Sequence, residues 1–99
     1  MYSTLEWLQQ WYTKQCDGDW EHNENIKIRT IDNPGWRVTI NLKGTNLEEK
    51  PFTSLKIERS EVDWVHCFIR DQKFQGACGP ENLIETLQTF IKWADAIDE

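Results

Sequence analysis

Apolar residues recur at helical spacing near both ends of the chain and alternate with polar ones in between. Near the amino end, Leu5, Leu8 and Tyr12, joined by Trp11, fall on one face of a 3.6-residue period. Ser3 and Glu6 supply the two halves of a capping box ahead of them, with Tyr2 and Trp7 at the flanking staple positions. A helix is predicted from about residue 4 to about residue 15. Cys16-Asp17-Gly18 stops it, because glycine takes the left-handed conformation that ends helices. At the other end, Leu83, Ile84, Leu87, Phe90, Ile91 and Ala94 make one apolar stripe. Pro80 suits the first turn of this second helix, and Glu81 the positive end of its dipole.

After Gly18 the period changes to two. Ile26, Ile28 and Thr30 alternate with Lys27 and Arg29, and Trp36, Val38, Ile40 and Leu42 alternate with Arg37, Thr39, Asn41 and Lys43. Asp32-Asn33-Pro34-Gly35 between them is turn chemistry, so the two runs form an antiparallel hairpin. Gly44 to Thr53 is polar and reads as a surface loop with no core residues. Leu55 to Arg59 alternates again, while Trp64 to Arg70 is apolar at most positions, as an interior strand covered on both faces would be. The expected fold is α+β in one domain over residues 1–99: an amino-terminal helix, an antiparallel sheet of about four strands, and a carboxyl-terminal helix packed on the sheet.

Six Trp, four Phe and two Tyr in 99 residues change this picture by loading the core with aromatics. Burying one tryptophan contributes on the order of 4 to 6 kcal/mol before entropy is subtracted, so most of them are expected to be structural. Charge points to the partner. Eleven basic against 17 acidic residues leave a net charge of −6, whose field repels nucleic acid and anionic membrane and attracts a protein with a basic surface. Three cysteines cannot all pair within the chain, and residues 1–10 lack the basic start and apolar run of a signal peptide, so a cytoplasmic setting is expected. No stretch of about 18 apolar residues offers a membrane span.

Candidate chemistry is sparse. Asp17, Asp19, Glu21 and Glu24 make an acidic edge with His22, but as a calcium loop it fails: His22 stands where glycine is needed and Ile28 where glutamate is needed. A solvated turn or a partner contact remains, and no metal or cofactor is expected. Cys78 lies two residues before Pro80, where a helix dipole lowers a thiol's pKa, so a small thiol-dependent enzyme of sulfurtransferase type is an alternative. A general interaction module is another. No phosphate loop, paired C-x-x-C or serine nucleophile elbow is present.

Two tryptophan-bearing corners stand out: Cys16-Asp17-Gly18-Asp19-Trp20-Glu21-His22 after the first helix, and Asp32-Asn33-Pro34-Gly35-Trp36 at the hairpin. With Trp11-Tyr12 before them and Asp63-Trp64 and Gly79-Pro80-Glu81-Asn82-Leu83 after them, the order along nearly the whole chain resembles the immunity protein 53 family of bacterial polymorphic-toxin systems. The resemblance implies an α+β fold whose Trp-Glu and Pro-Gly-Trp motifs fall on Trp20-Glu21 and Pro34-Gly35-Trp36. It also implies an antitoxin that binds and neutralises a cognate toxin without catalysis. The two tryptophans either pin the corners to the core or touch the partner; the pattern leaves both open. Asp17, Asp19, Glu21, Asp32 and Asp63 are the expected contacts, with Trp64 as an anchor.

Overall fold

The computed structural model describes residues 3–96. Tyr2, expected at a staple position, lies outside them. Chain order is α1 (Thr4–Gln15), α2 (Trp20–Asn23), β1 (Ile26–Ile31), β2 (Gly35–Asn41), β3 (Leu55–Glu58), β4 (Trp64–Arg70), β5 (Lys73–Cys78) and α3 (Leu83–Asp95). The architecture is α+β, as expected, with five strands where about four were foreseen. They form one antiparallel sheet in the order β1-β2-β5-β4-β3.

The capping box forms as read. Ser3 Oγ accepts from Glu6 N at 3.2 Å, and Ser3 N donates to Glu6 Oε1 at 3.1 Å, satisfying two of the free donors at the start of α1. Gly18 has φ +92°, the left-handed backbone expected after the helix. Trp20, in the corner that follows the first helix, opens the single turn of α2, an element the apolar pattern does not announce.

One phase of the sheet faces α1 and α3. Val38, Ile40, Val65, Phe74 and Cys78 on that face are fully buried, and Phe90 of α3 sits above them between Trp11, at 5.3 Å, and Phe74, at 5.1 Å. Gly76 lies where α3 crosses. A Cβ there would come within 2.5 Å of Thr86 Cγ2, so a larger residue would push helix and sheet apart.

Several expectations need correction. The 44–53 loop is not free of core residues: Leu47 is 2% exposed, and Phe52 stacks edge-on against Phe74 and Trp93. Trp64–Arg70 is an interior strand of the sheet, yet only Val65 and Cys67 are fully buried, because a single helical layer covers one face. The carboxyl-terminal helix starts at Leu83, so Pro80 and Glu81 precede its first turn. Leu5, Tyr12 and Ile84 were assigned to apolar stripes, but the packed stripes are narrower and leave them 63%, 40% and 62% exposed.

Candidate functional site

Three surfaces gather the residues that sequence reasoning singled out. The first is the corner between α1 and β1. Trp20 is buried edge-on against Trp11 and Tyr12, and its indole N–H donates to Lys43 O at 2.8 Å. Glu21 folds back over the turn and accepts from Asp17 N at 2.9 Å and Gly18 N at 2.8 Å. Asp17 accepts in turn from the backbone N–H groups of Asp19 and Trp20. These donors favour the charged carboxylates. Asp17 is held below its usual range chiefly by the Trp20 N–H, and Glu21 by its own N–H and those of Asp17 and Gly18. Asp19 is exposed at the surface of the corner.

The second surface is the opposite end of the sheet, where the β1–β2 turn, the β3–β4 turn and the segment before α3 meet. Asp32 is exposed in a turn that contains a cis Asn33–Pro34 bond. Gly35 packs flush on β5, and a Cβ built there would collide with the carbonyl oxygen of Cys78. Trp36 then reaches Pro80 O at 3.0 Å through its indole N–H, tying the hairpin to the approach of α3. Asp63 accepts from Asn82 Nδ2 at 2.9 Å and from Arg59 at 2.8 Å. Arg59 also clamps Glu85 at 2.6 Å. Asn82 and then Arg59 hold the Asp63 carboxyl below its usual range, and the same network raises the Arg59 guanidinium.

The structure therefore divides the six expected contacts. Asp17, Asp19 and Glu21 lie at the corner beside the end of β2, whereas Asp32, Asp63 and Trp64 lie at the other end of the strands. Of these, Asp17, Glu21 and Asp63 already serve their own chain.

The third surface is the sheet face turned away from the helices. Register places Lys27 and Arg29 of β1, Arg37 of β2, Lys73 of β5, Arg70 of β4 and Lys56 of β3 on it, with Trp64, His66 and Phe68 among them. Glu58 is the one acidic residue in the same phase of the ladder. His66 Nε2 is shielded from solvent, makes no hydrogen bond and stands 3.8 Å from Glu58 Oε2. Net charge alone hides this face. Its signature in the sequence is that the polar positions of successive strands, Lys27 and Arg29, then Arg37, then Arg70 and Lys73, carry one sign.

The family model described as Immunity protein 53 matches residues 5–95. The chain belongs to that family. No curated protein and no solved structure matches it. Membership carries an immunity role and implies a protein toxin as partner.

Within this immunity protein the two motif segments close corners of the fold. Trp20-Glu21 seals the turn after α1, and Pro34-Gly35-Trp36 brings β2 against β5 and the α3 approach. Cys78 differs from its expected setting at a helix start. It ends β5, fully buried, and burial raises its thiol. Burial pushes the neighbouring Cys67 thiol up to about 12. Both thiols are thereby held in the protonated, unreactive form. Among the described residues no group of three or more His, Cys, Asp and Glu is arranged to hold a metal ion, and no helix is long and apolar enough to cross a membrane.

Proposed function

We propose that this immunity protein neutralises a cognate polymorphic toxin in the bacterial cytoplasm by binding it and covering its active site or an adjoining surface, with no chemistry of its own. The observation that carries this reading is the family match over residues 5–95. The state of the reactive side chains supports it. Asp17, Glu21 and Asp63 spend their oxygens on internal donors, and two of the three thiols are buried with raised pKa values. Tight occlusion needs only a complementary surface, in which a few aromatic and arginine side chains supply most of the energy.

In this reading the two acidic ends of the sheet are rims. Asp19 and Asp32, exposed at opposite ends, meet basic groups on the toxin, while Asp17, Glu21 and Asp63 shape the corners that present them. Trp64 is the anchor, half-buried on the open face and 5.1 Å from the His66 ring. The test is coexpression of this chain with the toxin domain encoded beside its gene. Restored growth and a purified complex are expected. No rescue and no complex would defeat the reading, and rescue with modified toxin in place of a complex would favour an enzyme.

A further inference from the structure

We propose that the open face of the sheet is the docking surface for an acidic patch on the toxin, so that a chain of net charge −6 binds through its cations. The inference rests on the antitoxin reading above and names the chemistry of its interface.

The charge is segregated by the fold. Six of the 11 basic residues, Lys27, Arg29, Arg37, Lys56, Arg70 and Lys73, project from this one face, against Glu58 within the strands and Glu24 at the edge, whose carboxylate accepts from Asn41 Nδ2 at 2.9 Å. Lys56 pairs with Glu58 at 3.4 Å. The other five make no ion pair with any described carboxylate. The register sharpens the point, because Arg29 stands directly opposite Arg37, and Arg70 directly opposite Lys73. Like charges facing each other across a ladder destabilise a sheet, and opposite charges there stabilise it. With 17 carboxylates in the chain, placing cations opposite cations twice on one face works against the fold's own stability. An anionic surface laid over the face removes that repulsion on binding.

The aromatic content fits an interface of this kind. Trp64 and Phe68 lie half-exposed among the cations, and Arg70 stacks over the Phe68 ring at 5.3 Å. Tryptophan and arginine are the residues that most often dominate binding energy.

Size and surroundings favour a protein over a polynucleotide. β2 and β4 each have seven residues, so five strands about 4.8 Å apart make a face of about 500 Å². A standard protein interface takes about 800 Å² from each partner, so the face alone supplies more than half of one. A nucleic acid strand extending along β2 past the face would meet the acidic corner at Asp17 and Asp19 at one end and Asp32 at the other. A compact acidic patch framed by basic groups matches the whole surface.

The experiment measures association of the full chain with the toxin domain encoded beside its gene, at low and high salt. Two face variants are compared, Lys27→Glu with Arg29→Glu, and Arg70→Glu with Lys73→Glu. Lys14→Glu with Lys92→Glu, on the helical side, makes the same change in net charge. Circular dichroism confirms that each is folded, and a thymidine oligonucleotide is the second probe. Both face variants are expected to associate about tenfold or more slowly at low salt, with a weaker salt dependence, while the helical variant keeps the unaltered rate. Unaltered rates in both face variants, with the toxin still bound, would overturn this inference and leave the antitoxin reading standing. Oligonucleotide binding that the face variants abolish, with toxin association untouched, would overturn it in favour of nucleic acid. Failure of the unaltered chain to bind the toxin at all would overturn the antitoxin reading, and this inference with it.

Discussion

Replacing Gly35 by alanine tests whether the Pro-Gly-Trp motif acts by closing the sheet. Gly35 is buried at the start of β2, and the added methyl carbon would occupy the space of the Cys78 carbonyl oxygen on β5. That oxygen belongs to the backbone of a central strand, so no side-chain rotation relieves the overlap; β2 and β5 must part locally. Overpacking of a well-filled interior costs about 1 to 3 kcal/mol. Losing one ladder hydrogen bond adds about 0.5 to 1.5 kcal/mol. The sum is a substantial fraction of the roughly 5 to 15 kcal/mol that holds a domain of this size together. At about 4 °C per kcal/mol, the low end for a domain near 100 residues, the melting temperature should fall by about 6 to 18 °C. Differential scanning calorimetry reads this directly. Gly18→Ala is the comparison, since nothing lies within 4 Å of its Cβ position and only the left-handed backbone, at φ +92°, is strained. It should lose about 1 to 2 kcal/mol. A Gly35→Ala protein melting within about 2 °C of the parent would refute the steric account, since about 1 kcal/mol shifts a domain of this size by some 4 °C or more.

Trp20→Phe keeps a ring against Trp11 and Tyr12 but removes the donor to Lys43 O, and should lower stability by about 1 to 2 kcal/mol in urea titrations. Acid should also loosen the fold. Asp17, Glu21, Asp63 and Glu85 are all held below their ordinary pKa values, so their contribution is present above the unfolded carboxylate range and is lost progressively as pH falls from that range through the lower folded-state values. The urea midpoint should be flat from about pH 7 to 5 and drop below about pH 4.5, and Glu21→Gln with Asp63→Asn should flatten the drop. A thiol reagent at neutral pH should modify half-exposed Cys16 before buried Cys67 and Cys78; peptide mapping that finds Cys78 modified first in the folded protein would contradict the burial described. Because burial raises the Cys67 thiol from 9.0 to about 12, its contribution is present at neutral pH and lost as pH rises above about 9, so the urea midpoint should fall as the titration is repeated at pH above about 9.

The two longer helices, the β1–β2 hairpin and α+β character were legible because their signals are local: a capping box, an apolar repeat and Pro-Gly between alternating runs. β5 was not. Its turn is Asp71-Gln72 with φ +53° and +59°, a two-residue hairpin turn without the glycine or asparagine that usually announces one. Its interior holds Gly76 and Ala77, poor strand residues by propensity, and Gly76 is explained only by Thr86 crossing above it. Leu47 and Phe52 were hidden for a similar reason, since an isolated apolar residue among polar ones has no period until the tertiary fold brings the loop against the core. The candidate surface was half visible. Acidic residues were found one by one, but which of them bond within their own corner depends on contacts such as Asn82 to Asp63, 19 residues apart in sequence. The basic face appears only when the strands are set side by side, because a net charge of −6 averages it away.

The most direct test of the central claim is titration of the isolated neighbouring toxin domain with this chain, following toxin activity and complex mass together. Loss of activity that reaches completion at a fixed ratio of the two proteins, with an intact complex and unmodified toxin, is the expected result. Full toxin activity in excess of this chain, or inhibition by substoichiometric amounts that leaves covalently altered toxin behind, would contradict it.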